Sequence, residues 1–164
     1  MKALNMHILF LCTGNSCRSI IAEATFNHLA PPSMRAMSAG SQPTGEVHPR
    51  SIALLQAKGI ATEGYRSKSW DNLPVKPDIV ITVCSNAAGE TCPAYLGDVM
   101  RAHWGVDDPA KATGSDAQIQ ASFEQAYRLL RARIEAFLQL DPSILNDREA
   151  LQTRLQAIGQ CESK

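Results

Sequence analysis

Apolar and polar positions follow two different patterns along this chain of 164 residues. Continuous apolar runs rich in β-branched residues, His7–Cys12 and Asp78–Cys84, are typical of buried strands. Two shorter runs, Arg35–Ala39 and Ala102–Trp104, are further strand candidates. Apolar residues at helical spacing predict four helices, over Cys17–Leu29, Pro49–Lys58, Ala117–Leu140 and Ser143–Ile158.

Strands that alternate with helices predict an α/β fold. Such connections favour parallel strands, and each crossover returns over one face of the sheet. We therefore expect a four-stranded parallel sheet that carries helices on both faces. In folds of this kind, sites form at the carboxyl edge of the sheet, where strands end and helices begin.

Composition and charge narrow the class of protein. Hydrophobic residues make up 45% of the chain and charged residues 20%, as in ordinary globular domains. Sixteen basic residues balance sixteen acidic ones, so no basic excess indicates a nucleic-acid or membrane-surface partner. The apolar stretches are also shorter than a membrane-spanning helix requires. We expect a cytoplasmic, monomeric protein that binds neither nucleic acid nor membrane.

Five cysteines stand out in a chain of this size: Cys12, Cys17, Cys84, Cys92 and Cys161. In a reducing compartment, several thiols indicate catalysis, redox exchange or a metal rather than structural disulfides. Zinc sites use closely spaced cysteine pairs with added histidines. The cysteine spacings here are wider and no histidine lies near such a pair, so we expect no metal.

The turn after the first strand has the most distinctive chemistry. Residues 12–18, which we call the cradle, combine a thiol at Cys12, small and polar turn residues, and a guanidinium at Arg18. Backbone N–H groups of such a turn, with the following helix N-terminus, bind an oxyanion, and Arg18 adds a bidentate donor. The oxyanion-binding residues are then Thr13, Gly14, Asn15, Ser16, Cys17 and Arg18.

Positive potential in the cradle should lower the pKa of Cys12 and make its thiolate a nucleophile at neutral pH. The alternative is that Cys12 is a buried core thiol and Arg18 a surface charge. The spacing of the two residues does not decide this, because it occurs readily by chance. Their position between a strand and a helix, over polar turn residues, favours the catalytic interpretation.

Three segments resemble one family: CTGNSCRS at 12–19, SAG at 38–40 and HWGVDDPA at 103–110. They are similar to the low-molecular-weight protein tyrosine phosphatases, and more closely to the arsenate reductases that share that fold. The resemblance covers roughly residues 5–140 and implies the strand order 2-1-3-4. We therefore expect a domain over residues 1–140, followed by a C-terminal helical extension over 141–164.

The resemblance also implies roles for individual residues. Cys12 would be the nucleophile, Arg18 the oxyanion clamp, and Ser19 a hydrogen-bond donor to the Cys12 thiolate. Asp108 would be the general acid. The residues themselves favour Asp108 over Asp107, because the proline that follows it restricts its backbone to an extended conformation. The alternative is that this Asp-Pro pair simply starts a turn.

Two further thiols, Cys84 and Cys92, distinguish an arsenate reductase from a phosphatase, which needs only the nucleophilic cysteine. In the strand order 2-1-3-4, Cys12 and Cys84 end neighbouring strands about 5 Å apart, within the Cα separation of a disulfide. The resemblance to thioredoxin-linked arsenate reductases implies a relay in which Cys12 attacks arsenate, Cys84 attacks Cys12, and Cys92 attacks Cys84. We expect residues 85–95 to be ordered differently in the reduced and oxidised protein.

The resemblance implies arsenate as substrate, phosphate or sulfate as its mimics, and no bound cofactor. The implied reductant is thioredoxin. Seven residues separate Cys84 from Cys92, where the family has six, so glutaredoxin with glutathione stays the alternative reductant. Two other functions stay open: a tyrosine phosphatase that needs Cys12 alone, and a sensor that binds an oxyanion without turnover.

The remaining site residues concern a cation. Some relatives bind potassium beside the cradle, and Asn15, Glu23 and Ser38 match that site, whereas Lys68 stands where those relatives have an aspartate. We expect the Lys68 ammonium to take the place of the ion. The alternative is a solvated surface lysine. Cys17 is expected to support the cradle without taking part in catalysis.

Overall fold

A computed structural model describes residues 6–12, 14–15, 17–73, 76–83, 99–106, 109 and 113–160. Four strands in it form one parallel sheet: β1 (Met6–Cys12), β2 (Met34–Gly40), β3 (Ile79–Thr82) and β4 (Met100–His103). Their order is β2-β1-β3-β4, which confirms the predicted topology. Helices cover both faces, so the expected α/β class is also confirmed.

β1 is an inner strand whose central residues are completely buried, as its unbroken apolar sequence predicts. Its last residue, Cys12, pairs with Gly40 on one side, and Leu11 pairs with Thr82 on the other. The strand predicted over Asp78–Cys84 is too long at both ends, because β3 covers only Ile79–Thr82. At its start, the Asp78 carboxylate accepts a hydrogen bond from the His7 backbone N–H. The fourth strand begins two residues earlier than predicted.

Five α-helices lie in the described part of the chain: α1 (Arg18–Leu29), α2 (Pro49–Ala57), α3 (Asp116–Leu138), α4 (Pro142–Leu145) and α5 (Arg148–Gln160). A short 3-10 helix spans Trp70–Asn72. Ser115 and Gln118 form a reciprocal capping box that starts α3. Gly59, at φ 73°, follows the end of α2, where a left-handed residue is favourable.

The single helix predicted over Ser143–Ile158 is wrong, because two helices occupy this region. Asp141 accepts from the Ser143 N–H at 2.9 Å and starts α4. Asp147 then accepts from the Ala150 N–H at 3.2 Å and starts α5. Two aspartate caps only six positions apart interrupt the helix, since each satisfies the N–H groups of its own first turn.

Aromatic side chains join the layers beneath the site. The Phe10 ring of β1 lies 6.0 Å from Phe26 of α1 and 6.1 Å from Trp104, which follows β4. Phe26 in turn lies 5.9 Å from Phe137 of α3. These four rings are completely buried, so the start of the loop after β4 belongs to the core. Within the described residues, no helix is long and apolar enough to cross a membrane.

Candidate active site

The cradle lies where the sequence predicts it, between β1 and α1. Cys12 is the last residue of β1 and is 4% exposed, and Cys17 directly precedes α1. Asn15 is buried in the turn at φ 48°, a left-handed conformation that asparagine tolerates better than most residues. The helix begins at Arg18, one residue later than predicted, because Cys17 has non-helical backbone angles.

Three backbone segments meet at the carboxyl edge of the sheet. The Val83 N–H donates to the Leu11 carbonyl at 2.9 Å, and the Val106 N–H donates to the Val83 carbonyl at 3.1 Å. The Val106 carbonyl then accepts from Nη1 of Arg18 at 2.9 Å. Leu11 directly precedes the cradle and Arg18 is its last residue, so these bonds and the cradle form a closed ring that holds three chain segments together. We call it the edge ring.

Asn15 ties the cradle to two other parts of the chain. Its Nδ2 donates to Ser19 Oγ at 2.8 Å, and its Oδ1 accepts from the Lys68 backbone N–H at 2.8 Å. Because a hydroxyl both accepts and donates, Ser19 keeps its own O–H available. The predicted bond from Ser19 to the Cys12 thiolate stays a prediction.

The four supporting residues of the predicted cation site do lie together. Ser38 Oγ donates to Glu23 Oε1 at 2.5 Å, and Lys68 Nζ lies 3.8 Å from the same oxygen. Lys68 Nζ also donates to the Arg66 carbonyl at 3.3 Å. The Lys68 side chain is only 17% exposed, so it is not a solvated surface lysine.

Burial dominates the ionisation of this pair. Loss of hydration raises the pKa of Glu23 above its ordinary value, while Lys68 and the Ser38 hydroxyl act in the opposite direction. Burial also lowers the pKa of Lys68; Glu23 opposes that shift and Arg66 adds to it. Each charge therefore offsets part of the desolvation cost of the other.

Two residues that the sequence analysis missed support the cradle from outside. The Gly14 carbonyl accepts from the Thr44 N–H at 3.0 Å and from Ser67 Oγ at 3.1 Å. Ser67 also accepts from the Gly45 N–H at 3.1 Å. Ser67 directly precedes Lys68, a predicted site residue, and this position in the sequence was the signal that could have identified it. Nothing in the sequence pattern marks Thr44.

Other predicted site residues lie outside the described residues. They are Thr13, Ser16, Cys84, Cys92 and Asp108, together with Asp107 and Cys161. The described residues immediately before two of these segments, Val83 and Val106, are both members of the edge ring. The expected difference between reduced and oxidised forms at 85–95 also falls outside the described part.

A family model for low molecular weight phosphotyrosine protein phosphatases matches residues 7–153, and the chain belongs to this family. The resemblance drawn from the three sequence segments is thereby confirmed.

Within the family, similar proteins are arsenate reductases. The arsenate reductase of Halalkalibacterium halodurans is 38% identical over 133 residues, which cover 80% of this chain and 94% of that protein. A solved arsenate reductase in its phosphate-binding state superposes with a TM-score of 0.68 at 27% identity, covering 81% of this chain and 96% of the other. A thioredoxin-dependent arsenate reductase of Corynebacterium glutamicum gives a TM-score of 0.58 at 27% identity, covering 80% and 61%.

Proposed function

We propose that this protein reduces arsenate to arsenite through Cys12, Cys84 and Cys92. The observation that supports the proposal most strongly is the edge ring. Cys12 directly follows Leu11, Cys84 directly follows Val83, and Leu11 and Val83 are hydrogen-bonded at 2.9 Å. Backbones this close are compatible with a disulfide between the next residues.

The first step is attack on the oxyanion. Arsenate binds to the N–H groups of the cradle and to Arg18, as a tetrahedral phosphate-like anion. The Cys12 thiolate forms a bond to arsenic, and an arsenic–oxygen bond breaks. Asp108 supplies the proton to the leaving oxygen, which departs as water. Val106, two residues before Asp108, accepts from Arg18, which supports placing this acid beside the cradle.

The second step transfers electrons. The Cys84 thiolate attacks Cys12 Sγ and forms the Cys12–Cys84 disulfide. The electron pair of the arsenic–sulfur bond passes to arsenic, which is reduced from As(V) to As(III) and leaves as arsenite. Cys92 then attacks Cys84, so that Cys12 is regenerated as a thiolate and the Cys84–Cys92 disulfide remains.

An external dithiol must reduce that last disulfide. Thioredoxin is the proposed donor, and glutaredoxin with glutathione is the alternative. One of the similar solved structures is a thioredoxin-dependent arsenate reductase, which favours thioredoxin. The proposal places a monomeric protein in the cytoplasm, where thioredoxin and glutathione keep thiols reduced.

Lys68 is the proposed replacement for a bound cation. Its ammonium faces Glu23 Oε1 in a site that Ser38 and Asn15 also line. Such a fixed charge makes the cradle independent of added potassium. We expect equal initial rates in potassium and sodium salts at constant ionic strength, and a strong rise with potassium would contradict this role.

A low-molecular-weight tyrosine phosphatase is the second candidate, because the matching family model carries that description. The cradle, Cys12 and Asp108 suffice for phosphate-ester hydrolysis, whereas Cys84 and Cys92 have no part in it. Slow hydrolysis of aryl phosphates is therefore compatible with the main proposal.

The test is arsenite production by the purified protein with arsenate. One reaction contains thioredoxin, thioredoxin reductase and NADPH, and a parallel one contains glutaredoxin, glutathione and its reductase. We expect continuous arsenite release in the first reaction. Aryl-phosphate hydrolysis without arsenite release in either reaction would support the phosphatase instead. Stoichiometric oxyanion binding without any turnover would support the sensor.

A further inference from the structure

Helix α5 closes the β4 edge of the sheet. Its apolar face, with Leu151, Leu155 and Ile158, is buried, and the helix packs against β4 and α3. Gln152 Nε2 also donates to the Arg101 carbonyl of β4 at 2.7 Å. The family match ends at residue 153, inside this helix, so its last two turns lie beyond the matched segment.

These last turns of α5 contact Trp104, the residue that follows β4. The Trp104 indole Nε1 donates to the Leu155 carbonyl at 3.0 Å in a completely buried position. Gly159 lies one turn after Leu155, on the same face of the helix. A Cβ at Gly159 would overlap the His103 carbonyl oxygen and approach Trp104 Cδ1 to 2.7 Å. Because Gly159 has no side chain, the Trp104 indole can approach α5 closely enough to bond to its backbone.

Helix α3 holds the next residue of the same loop. Nη1 of Arg133 donates to the Gly105 carbonyl at 2.9 Å, and the Arg133 side chain is almost fully buried. Arg18 holds the residue after that, through the Val106 carbonyl. Three consecutive residues, Trp104 to Val106, are thus each bonded to a different helix.

We propose that α5, acting through Trp104, and α3, acting through Arg133, position the loop that leads to the general acid. Trp104, Gly159 and Arg133 are positioning residues. This inference rests on the proposed role of Asp108 two residues after Val106. It assigns a function to the last two turns of α5, which lie beyond the segment that the family model matches.

Gly159→Ala is the main test, because it introduces one methyl group into the contact between α5 and the loop. Alanine in a helix is ordinarily more favourable than glycine, so a harmful effect is specific to this contact. We expect kcat for arsenate to fall about tenfold while KM changes little, because the acid is displaced and the cradle is not. Gln156→Ala, on the exposed face of α5, is the matched control and should keep the wild-type kcat.

A leaving-group comparison separates positioning from general damage. Phenyl phosphate needs protonation of its leaving oxygen more than p-nitrophenyl phosphate does, so a displaced acid should slow phenyl phosphate more. Arg133→Met should show the same selective loss, and Arg133→Lys should restore part of it, because lysine keeps a donor for the Gly105 carbonyl. Equal losses on both esters would overturn the inference.

Amide hydrogen exchange gives an answer that does not depend on turnover. The Val106 N–H donates to Val83, and it should exchange faster in Gly159→Ala than in wild type or Gln156→Ala. Unchanged exchange at Val106 would overturn the inference. If the wild-type protein releases no arsenite, the proposed function is refuted. The inference is tested separately, because the exchange data report on the contact between α5 and the loop.

Discussion

The two sides of the site are held by different physical means. Polar side chains support the cradle: the buried Asn15, Ser19, Glu23 and Ser38, and the partly buried Lys68. The loop after β4 is instead held through its backbone carbonyls and through the Trp104 ring in the apolar core. The cradle should therefore respond to charge and pH, whereas the loop should respond to small changes in packing.

The largest effects should come from the thiols of the proposed relay. We expect Cys12→Ser to lower both arsenate reduction and aryl-phosphate hydrolysis by at least about 10³-fold, because both need the nucleophile. Cys84→Ser should abolish arsenate reduction and leave the hydrolysis of p-nitrophenyl phosphate. Steady-state rates on the two substrates measure this. Loss of both activities in Cys84→Ser would contradict a role confined to the relay.

Asn15→Ala should be the most damaging change among the cradle supports. It removes two hydrogen bonds of a buried side chain and places alanine at a positive φ, so we expect about 3 kcal/mol less unfolding free energy and weaker phosphate binding. Urea denaturation and calorimetric titration with phosphate measure the two effects.

Asn27→Ala is the control, because the Asn27 side chain makes two hydrogen bonds to the Ala36 backbone and a longer one, of 3.5 Å, to the Tyr65 hydroxyl, all away from the cradle. It should lower stability without weakening phosphate binding. Equal binding losses in the two variants would show that the hydrogen bonds from Asn15 to Ser19 and Lys68 have no specific part in phosphate binding.

Lys68→Met should make stability more dependent on pH. Without the ammonium, the already raised pKa of Glu23 rises further. The folded state then binds more protons than the unfolded state between the ordinary value of 4.5 and the raised pKa, so stability falls as pH rises through that window. We expect a deficit relative to wild type that is small below pH 4.5 and reaches about 2 kcal/mol near neutrality.

Thermal melts across this pH range measure the deficit, with Lys58→Met as the control. Lys58 pairs with Glu124 at 2.9 Å, but both side chains are about one third exposed. That variant should differ little from wild type at any pH. A Lys68→Met deficit that does not change with pH would refute the buried-pair description.

Cys17→Ser should have the smallest effect. Cys17 is buried within the cradle, and serine keeps nearly the same shape. We expect most of the arsenate turnover to remain, measured under the same conditions as the wild type. A loss as large as that of Cys12→Ser would mean that Cys17 takes part in the chemistry.

The sequence predicted the cradle side better than the loop side, for a physical reason. The resemblance identified Asn15, Glu23 and Ser38, because these residues match positions that the family uses, and their polar side chains make the supporting contacts. Arg133 and Gly159 act through backbone atoms of residues far away in the chain, and such contacts leave no local pattern. The sheet order followed from the strands and the resemblance. The sequence analysis missed the break between α4 and α5, because it depends on the caps Asp141 and Asp147, which apolar residues at helical spacing do not reveal.

The most direct test of the three-cysteine proposal is a single turnover without external reductant. Reduced protein is mixed with excess arsenate, its thiols are then blocked with an alkylating agent, and its disulfides are mapped by mass spectrometry. We predict one equivalent of arsenite with a Cys84–Cys92 disulfide in wild type, and a trapped Cys12–Cys84 disulfide in Cys92→Ser. Arsenite release without either disulfide, or with a disulfide that lacks Cys84, would contradict the proposal.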